Sequence, residues 1–198
     1  MAKKALVLLA PGFEEVEAVS PIDYLRRAGI EVTAAAVVPD SAGGRDVGGS
    51  HGIILRADST LAALTAEAGG LPALCRTLDA LLLPGGMPGA SNLAASADVT
   101  ALIQAMARGG KIVAAICASP ALVLAPLGLL KDRRFTCYPG MEQDLKGTGP
   151  WSEEQVVIDG SLITSRGAGT AAAFALAIIG ELLGKAAGTR VARALLLE

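Results

Sequence analysis

Ile112-Val-Ala-Ala-Ile116 runs without a polar break into Cys117, and a proline follows at position 120. A short, uninterrupted apolar run of this kind is the pattern of a strand buried on both faces, as in a parallel sheet. The apolar residues 121–125 continue as a helix, with Pro120 in the first turn, where a missing N–H costs nothing. Cys117 is thereby predicted to sit on a sharp strand-to-helix turn, beside the unpaired N–H groups of a helix start. That setting favours the thiolate, the reactive form of cysteine. It is also the geometry of a nucleophile elbow.

The remainder of the chain repeats the alternation. Lys4–Leu9 reads as a strand, and residues 14–28 as an amphipathic helix stopped by Gly29. Residues 30–38 form a second strand. Residues 39–50, rich in Gly, Asp and Ser, form a loop or hairpin into 52–56. Asp58 is expected to cap a helix over Leu61–Ala68 that ends at Gly69-Gly70. Residues 79–83 read as a buried strand cut off by Pro84-Gly85-Gly86, and 99–108 as a helix. Residues 134–138 can be a strand. Asp159-Gly160 between 155–158 and 162–164 is a hairpin signal, and helices over 170–183 and 185–197 close the chain. Together these predict one α/β domain over residues 1–198, a three-layer sandwich with a mostly parallel sheet covered on both faces. In such sheets ligands bind outside the carboxyl ends of the strands. Residues 11–17, 84–86 and Cys117 converge there.

Composition narrows the function. Of 198 residues 52% are hydrophobic, yet no apolar run is long enough to span a bilayer. The start, Met-Ala-Lys-Lys, leads into an apolar run too short for a secretory signal. Three cysteines without regular spacing fit free thiols in a reducing compartment, so a cytoplasmic location is expected, with no membrane association. A net charge of −2 and 3% aromatic residues give nucleic acid neither a basic footprint nor a stacking platform. A single histidine supplies the common metal sites poorly. No metal and no cofactor are expected.

Cys117 is the leading candidate for chemistry. Glu14, Glu15 and Glu17 crowd the start of the first helix. The helix dipole accounts for one or two of them, but Glu17 falls partly on the inward face. A carboxyl turned toward the thiol would have a raised pKa, keep its proton, and act as hydrogen-bond donor and then as general acid or base. Gly85 and Gly86 leave backbone N–H groups open to a substrate, and with the N–H of Ala118 they could form an oxyanion hole. The loop 165–170 is another backbone-rich turn, with Gly169 or Thr170 as a plain helix cap. Tyr138 is a partly buried aromatic at a strand end or a pocket wall. Cys75 and Cys137 read as structural. His51 lies in a Gly/Ser loop far along the chain and reads as a surface or interface residue, which disfavours histidine-assisted peptidase chemistry.

The stretches LeuLeuAlaProGlyPheGluGluValGluAla (8–18), ArgArgAlaGlyIle (26–30), LeuProGlyGly (83–86), AlaAlaIleCysAla (114–118) and ThrSerArgGlyAlaGlyThr (164–170) resemble the ThiJ/PfpI superfamily. The resemblance is to the branch of the parkinsonism-associated deglycase and bacterial YajL, and it covers nearly the whole chain. It implies a flavodoxin-like sandwich. Cys117 would be the elbow nucleophile and the site of oxidation to a sulfinic acid, and Glu17 its hydrogen-bonding carboxyl. Gly85, Gly86 and Ala118 would supply pocket N–H groups. It further implies a homodimer with Arg26 and Arg27 near the interface, and a glyoxalase or deglycase acting on small reactive carbonyls or glycated adducts in stress protection. The alternative is a non-enzymatic oxidation sensor or chaperone. Two departures stand out: Tyr138 replaces the histidine that many relatives carry before the proline, and Gly167-Ala168-Gly169 replaces Gly-Pro-Gly.

Overall fold

The computed structural model describes residues 2–38 and 44–197. Its strands are β1 (Lys4–Leu9), β2 (Glu31–Ala36), β3 (Asp46–Gly48), β4 (Ile54–Arg56), β5 (Ser59–Thr60), β6 (Ala80–Leu83), β7 (Ile112–Ile116), β8 (Val156–Asp159) and β9 (Leu162–Ser165). Seven of them build one sheet in the order β5-β2-β1-β6-β7-β9-β8. Its pairings are parallel except for the β8–β9 hairpin. β3 and β4 form a separate antiparallel ribbon. The expected loop over 39–50 lies partly outside the described residues.

Central strands divide their side chains by parity. Ala5, Val7 and Leu9 of β1 enter one apolar layer, Leu6 and Leu8 the other, as a period of two requires. The helices are α1 (Glu15–Arg27), α2 (Leu61–Ala68), α3 (Leu71–Thr77), α4 (Gly89–Ala95), α5 (Ala97–Arg108), α6 (Ala171–Leu183) and α7 (Lys185–Ala194). The first layer packs against α1, α6 and α7, the second against α2 to α5. The molecule is therefore the three-layer α/β sandwich that the alternation predicts. No helix among the described residues is long and apolar enough to cross a membrane.

Three local expectations need correction. Asp58 does not cap α2. Thr60 does, accepting from the Ala63 N–H at 3.1 Å. Asp58 instead takes the Ala34 N–H at 2.8 Å and the Arg26 guanidinium at 2.7 Å, tying β2 to the end of α1. Thr60→Ala is expected to lower stability by about 1 kcal/mol, read as a shifted urea midpoint with unchanged slope. Residues 134–138 form no strand, only an isolated bridge between Phe135 and Trp151. The reason is topological: β7 already has β6 and β9 on its two edges. Finally, the helix after the elbow is a single π-helical turn, Pro120–Leu124, closed by the Ala125 N–H on the Pro120 carbonyl at 3.0 Å.

Candidate active site

The loops after β1, β6 and β7 meet at the carboxyl edge of the sheet. Cys117 follows β7 directly with φ +64°, a left-handed conformation that costs a non-glycine residue energy and concentrates at functional sites. Both sides of its backbone are fastened: its N–H donates to the Ser165 carbonyl at 3.0 Å, and its carbonyl accepts from the Tyr138 N–H at 2.8 Å. The buried Ser119 hydroxyl donates to the Pro84 carbonyl at 2.6 Å and joins the elbow to the glycine loop. Sequence reasoning missed Ser119. Its signal was a small polar residue directly beside the elbow, where burial obliges the hydroxyl to find a partner.

Gly85 and Gly86 are glycines for reasons of space. A Cβ on Gly85 would lie 2.6 Å from the Cys117 Cβ and 2.8 Å from Glu17 Oε2. Gly86 has φ +85° and would meet the Gly12 carbonyl oxygen at 2.6 Å. Their roles differ from the sequence expectation. The Gly85 N–H does not face an oxyanion position; it donates to Glu17 Oε2 at 2.8 Å. The N–H groups of Gly86 and Ala118 are the ones that point at the Cys117 sulfur.

Glu17 projects inward from the first turns of α1 and is 1% exposed. Its Oε2 is held by Gly85, while Oε1 is buried without a hydrogen-bond partner. Burial pushes its carboxyl up to about 7, with a smaller contribution from the nearby charge of Glu14. Burial, followed by the charge and hydrogen bond of Glu17, pushes the Cys117 thiol up to about 12, against the lowering by the Gly86 and Ala118 N–H groups. This corrects the expectation that the helix start by itself favours a thiolate. A single π turn offers little dipole, and an ionised neighbour opposes a second negative charge. The pair therefore gives up its first proton near pH 7 and holds the second through the whole neutral range. A thiolate arises at neutral pH when that second proton sits on Glu17.

Tyr138 is 52% exposed rather than partly buried, because no strand forms around it. A Cβ on Gly167 would lie 3.6 Å from the Tyr138 ring and 3.9 Å from Glu17 Oε1, so the three border one small space. Thr170 precedes α6 without a side-chain cap; its hydroxyl bridges Ser165 at 2.7 Å and the Gly167 carbonyl at 2.9 Å. Cys75 and Cys137 are buried and free. Arg26 and Arg27 are engaged within the chain, by Asp58 and Asp23. His51 is exposed and its Nδ1 lies against Glu14 and Glu15. Sequence reasoning assigned Glu15 to the helix dipole, yet the side chain is buried. Burial pushes its carboxyl up, but hydrogen bonds from its own backbone, His51 and Ile53 outweigh this and hold it at about 2.

A strained cysteine at the end of a central parallel strand, with a buried carboxyl and two backbone N–H groups around its sulfur, defines a nucleophile-elbow protein of the α/β class. The chain belongs to the DJ-1/PfpI family, whose profile matches residues 3–181. It is 40% identical to protein dj-1beta of Drosophila melanogaster over 197 residues, covering 99% of this chain and 98% of that one. It is 31% identical to deglycase PH1704 of Pyrococcus horikoshii over 164 residues, covering 82% of this chain and 89% of that protein. The solved structure of oxidized DJ-1 of Toxoplasma gondii superposes with a TM-score of 0.87 at 38% identity, covering 98% of each chain.

Proposed function

We propose that the protein is a cytoplasmic, glutathione-independent glyoxalase or deglycase acting on methylglyoxal-type carbonyls and their adducts. The observation that carries this reading is the pairing of Cys117, strained at φ +64°, with a buried carboxyl whose pKa lies near 7. The thiolate, formed with Glu17 protonated, adds to the aldehyde carbon of methylglyoxal, and the Gly86 and Ala118 N–H groups hold the resulting alkoxide. Glu17 gives that alkoxide its proton and is left as a carboxylate. It then removes the hydrogen on the former aldehyde carbon, forming an enediol, and returns the proton to the neighbouring carbon. The product is a lactoyl thioester on Cys117. Water cleaves it to lactate and the free thiol, so the net change is methylglyoxal plus water to lactate and a proton. One carbon is oxidised and its neighbour reduced, and no cofactor enters.

The relative named a deglycase supports the same class. Tyr138 and Gly167 would border the substrate's methyl end, and Gly85 would act through Glu17. Exposed Val16 and Val19 on α1 and Ile53 and Ile54 at β4 offer an apolar surface for a second copy of this chain, the proposed homodimer. The test is release of lactate from methylglyoxal by purified protein without glutathione. If the wild-type protein releases none, the reading fails.

A second reading, oxidation sensing, is favoured by the half-buried sulfur facing two N–H donors and a carboxyl. Those groups would stabilise a sulfinate. Mild peroxide is expected to add two oxygens to Cys117 alone, as read by intact mass and peptide mapping. Oxidation spread over Cys75 and Cys137 as well would count against a sensor.

A further inference from the structure

Ser119 stands at the start of the single π turn after the elbow. A serine in that place ordinarily caps the helix by accepting from a backbone N–H. This one makes no capping hydrogen bond. Its hydroxyl turns across to the exit of β6 instead and donates to the Pro84 carbonyl at 2.6 Å. The residue is 0% exposed, so bulk water does not compete for that bond.

The Pro84 carbonyl belongs to the same peptide unit as the Gly85 N–H, which donates to Glu17 Oε2 at 2.8 Å. The two groups leave one planar amide in opposite directions. Ser119, the Pro84–Gly85 peptide and Glu17 are therefore joined in series, hydroxyl to carbonyl and amide to carboxylate. Donation to a carbonyl oxygen polarises the amide and makes its N–H a stronger donor, a cooperative effect that counts for more in a buried setting than in water. It also fixes the plane of the peptide, and with it the direction of the N–H. Residue 85 has no room for a side chain of its own, since a Cβ there would lie 2.6 Å from the Cys117 Cβ. The orientation of this peptide has to come from its hydrogen bonds.

We propose that Ser119 is a positioning residue for the Cys117–Glu17 pair, its hydroxyl aiming and strengthening the Gly85 N–H that holds Glu17 Oε2. That N–H favours the ionised carboxylate, against the burial that opposes it. When the N–H is weakened, Glu17 keeps its proton to higher pH, and the pair gives up its first proton later. The titratable groups facing Glu17 are Cys117 at the elbow and Glu14 at the start of α1, while Tyr138 borders the space beside Oε1. The Ser119 hydroxyl bonds to none of these, so it reaches Glu17 through the peptide.

The test is the pH profile of Cys117 alkylation by iodoacetamide on full-length wild-type, Ser119→Ala and Ser119→Thr proteins. The Gly85 amide proton is followed by NMR in the unalkylated samples. Ser119→Ala is expected to raise the first inflection by roughly 0.2–0.5 pH unit and to move the Gly85 amide resonance upfield. Ser119→Thr restores the hydroxyl and is expected to return both toward the wild-type values. A serine that only braces the fold would lower the melting temperature of Ser119→Ala and leave both readouts in place. That result overturns the proposal, and so does an equal shift in Ser119→Thr. A Gly85 amide that does not titrate with the pair in wild-type protein overturns it as well, and that measurement needs no variant to fold. Both readouts are taken without substrate, so a lack of lactate release would sink the proposed reaction and leave this proposal standing.

Discussion

Replacing Cys117 with alanine is expected to abolish lactate formation from methylglyoxal, by at least about a thousandfold, while the protein stays folded. No other thiol can take over, because Cys75 and Cys137 are 8% and 0% exposed and lie in the second apolar layer. The fold survives because the elbow is fastened through backbone groups, the Cys117 N–H on Ser165 and its carbonyl under Tyr138. Alanine bears the same left-handed backbone strain as cysteine. Lactate assayed by NMR, beside circular dichroism and thermal unfolding of both proteins, separates lost chemistry from lost structure. Equal rates in wild type and Cys117→Ala would remove the cysteine from the mechanism.

The second large effect belongs to Glu17→Gln, for which kcat is expected to fall by about 10²–10⁴. Glutamine keeps the shape and can still accept from the Gly85 N–H, but it can neither give up nor collect a proton. The pH dependence carries more information than the rate. In the wild-type protein the first proton leaves the pair near pH 7, so alkylation of Cys117 by iodoacetamide should first rise around that pH. In Glu17→Gln that proton must leave the sulfur itself. Removing the carboxylate takes away its charge and hydrogen bond, so the thiol falls below about 12, yet burial, the largest cause, remains. The inflection therefore moves up from about 7 and stays below about 12. An unchanged inflection would mean that the two groups do not share a proton.

Much of this site is legible in the sequence because its parts are local. An apolar run into Cys117 fixes a buried strand and its exit. Pro84-Gly-Gly fixes another, and the excess of acid around Glu17 exceeds what a helix start needs. What escapes a sequence reading is decided by partners distant along the chain. Asp58 and Thr60 are both plausible caps two residues apart, and only the Ala34 N–H and Arg26 show that Asp58 is taken elsewhere. Residues 134–138 have strand composition, but whether β7 has a free edge is a property of the whole sheet. Glu15 looks like a solvated dipole partner until the loop at 49–53 closes over it. The acidity of Cys117 likewise depends on a burial that no local pattern discloses.

The peptide unit between Gly85 and Gly86 is held at both of its polar ends. Its carbonyl accepts the Glu14 N–H at 3.0 Å, and its own N–H points at the sulfur. Rotating this unit would break both attachments at once, so the start of helix α1 acts as a latch on the donor that, in the proposed reaction, would receive the substrate's oxygen. Negative charge growing beside the sulfur in that reaction would meet a dipole already fixed there, and the loop would not have to rearrange. The glycine freedom that would otherwise let such a loop wander is surrendered during folding, before any aldehyde arrives.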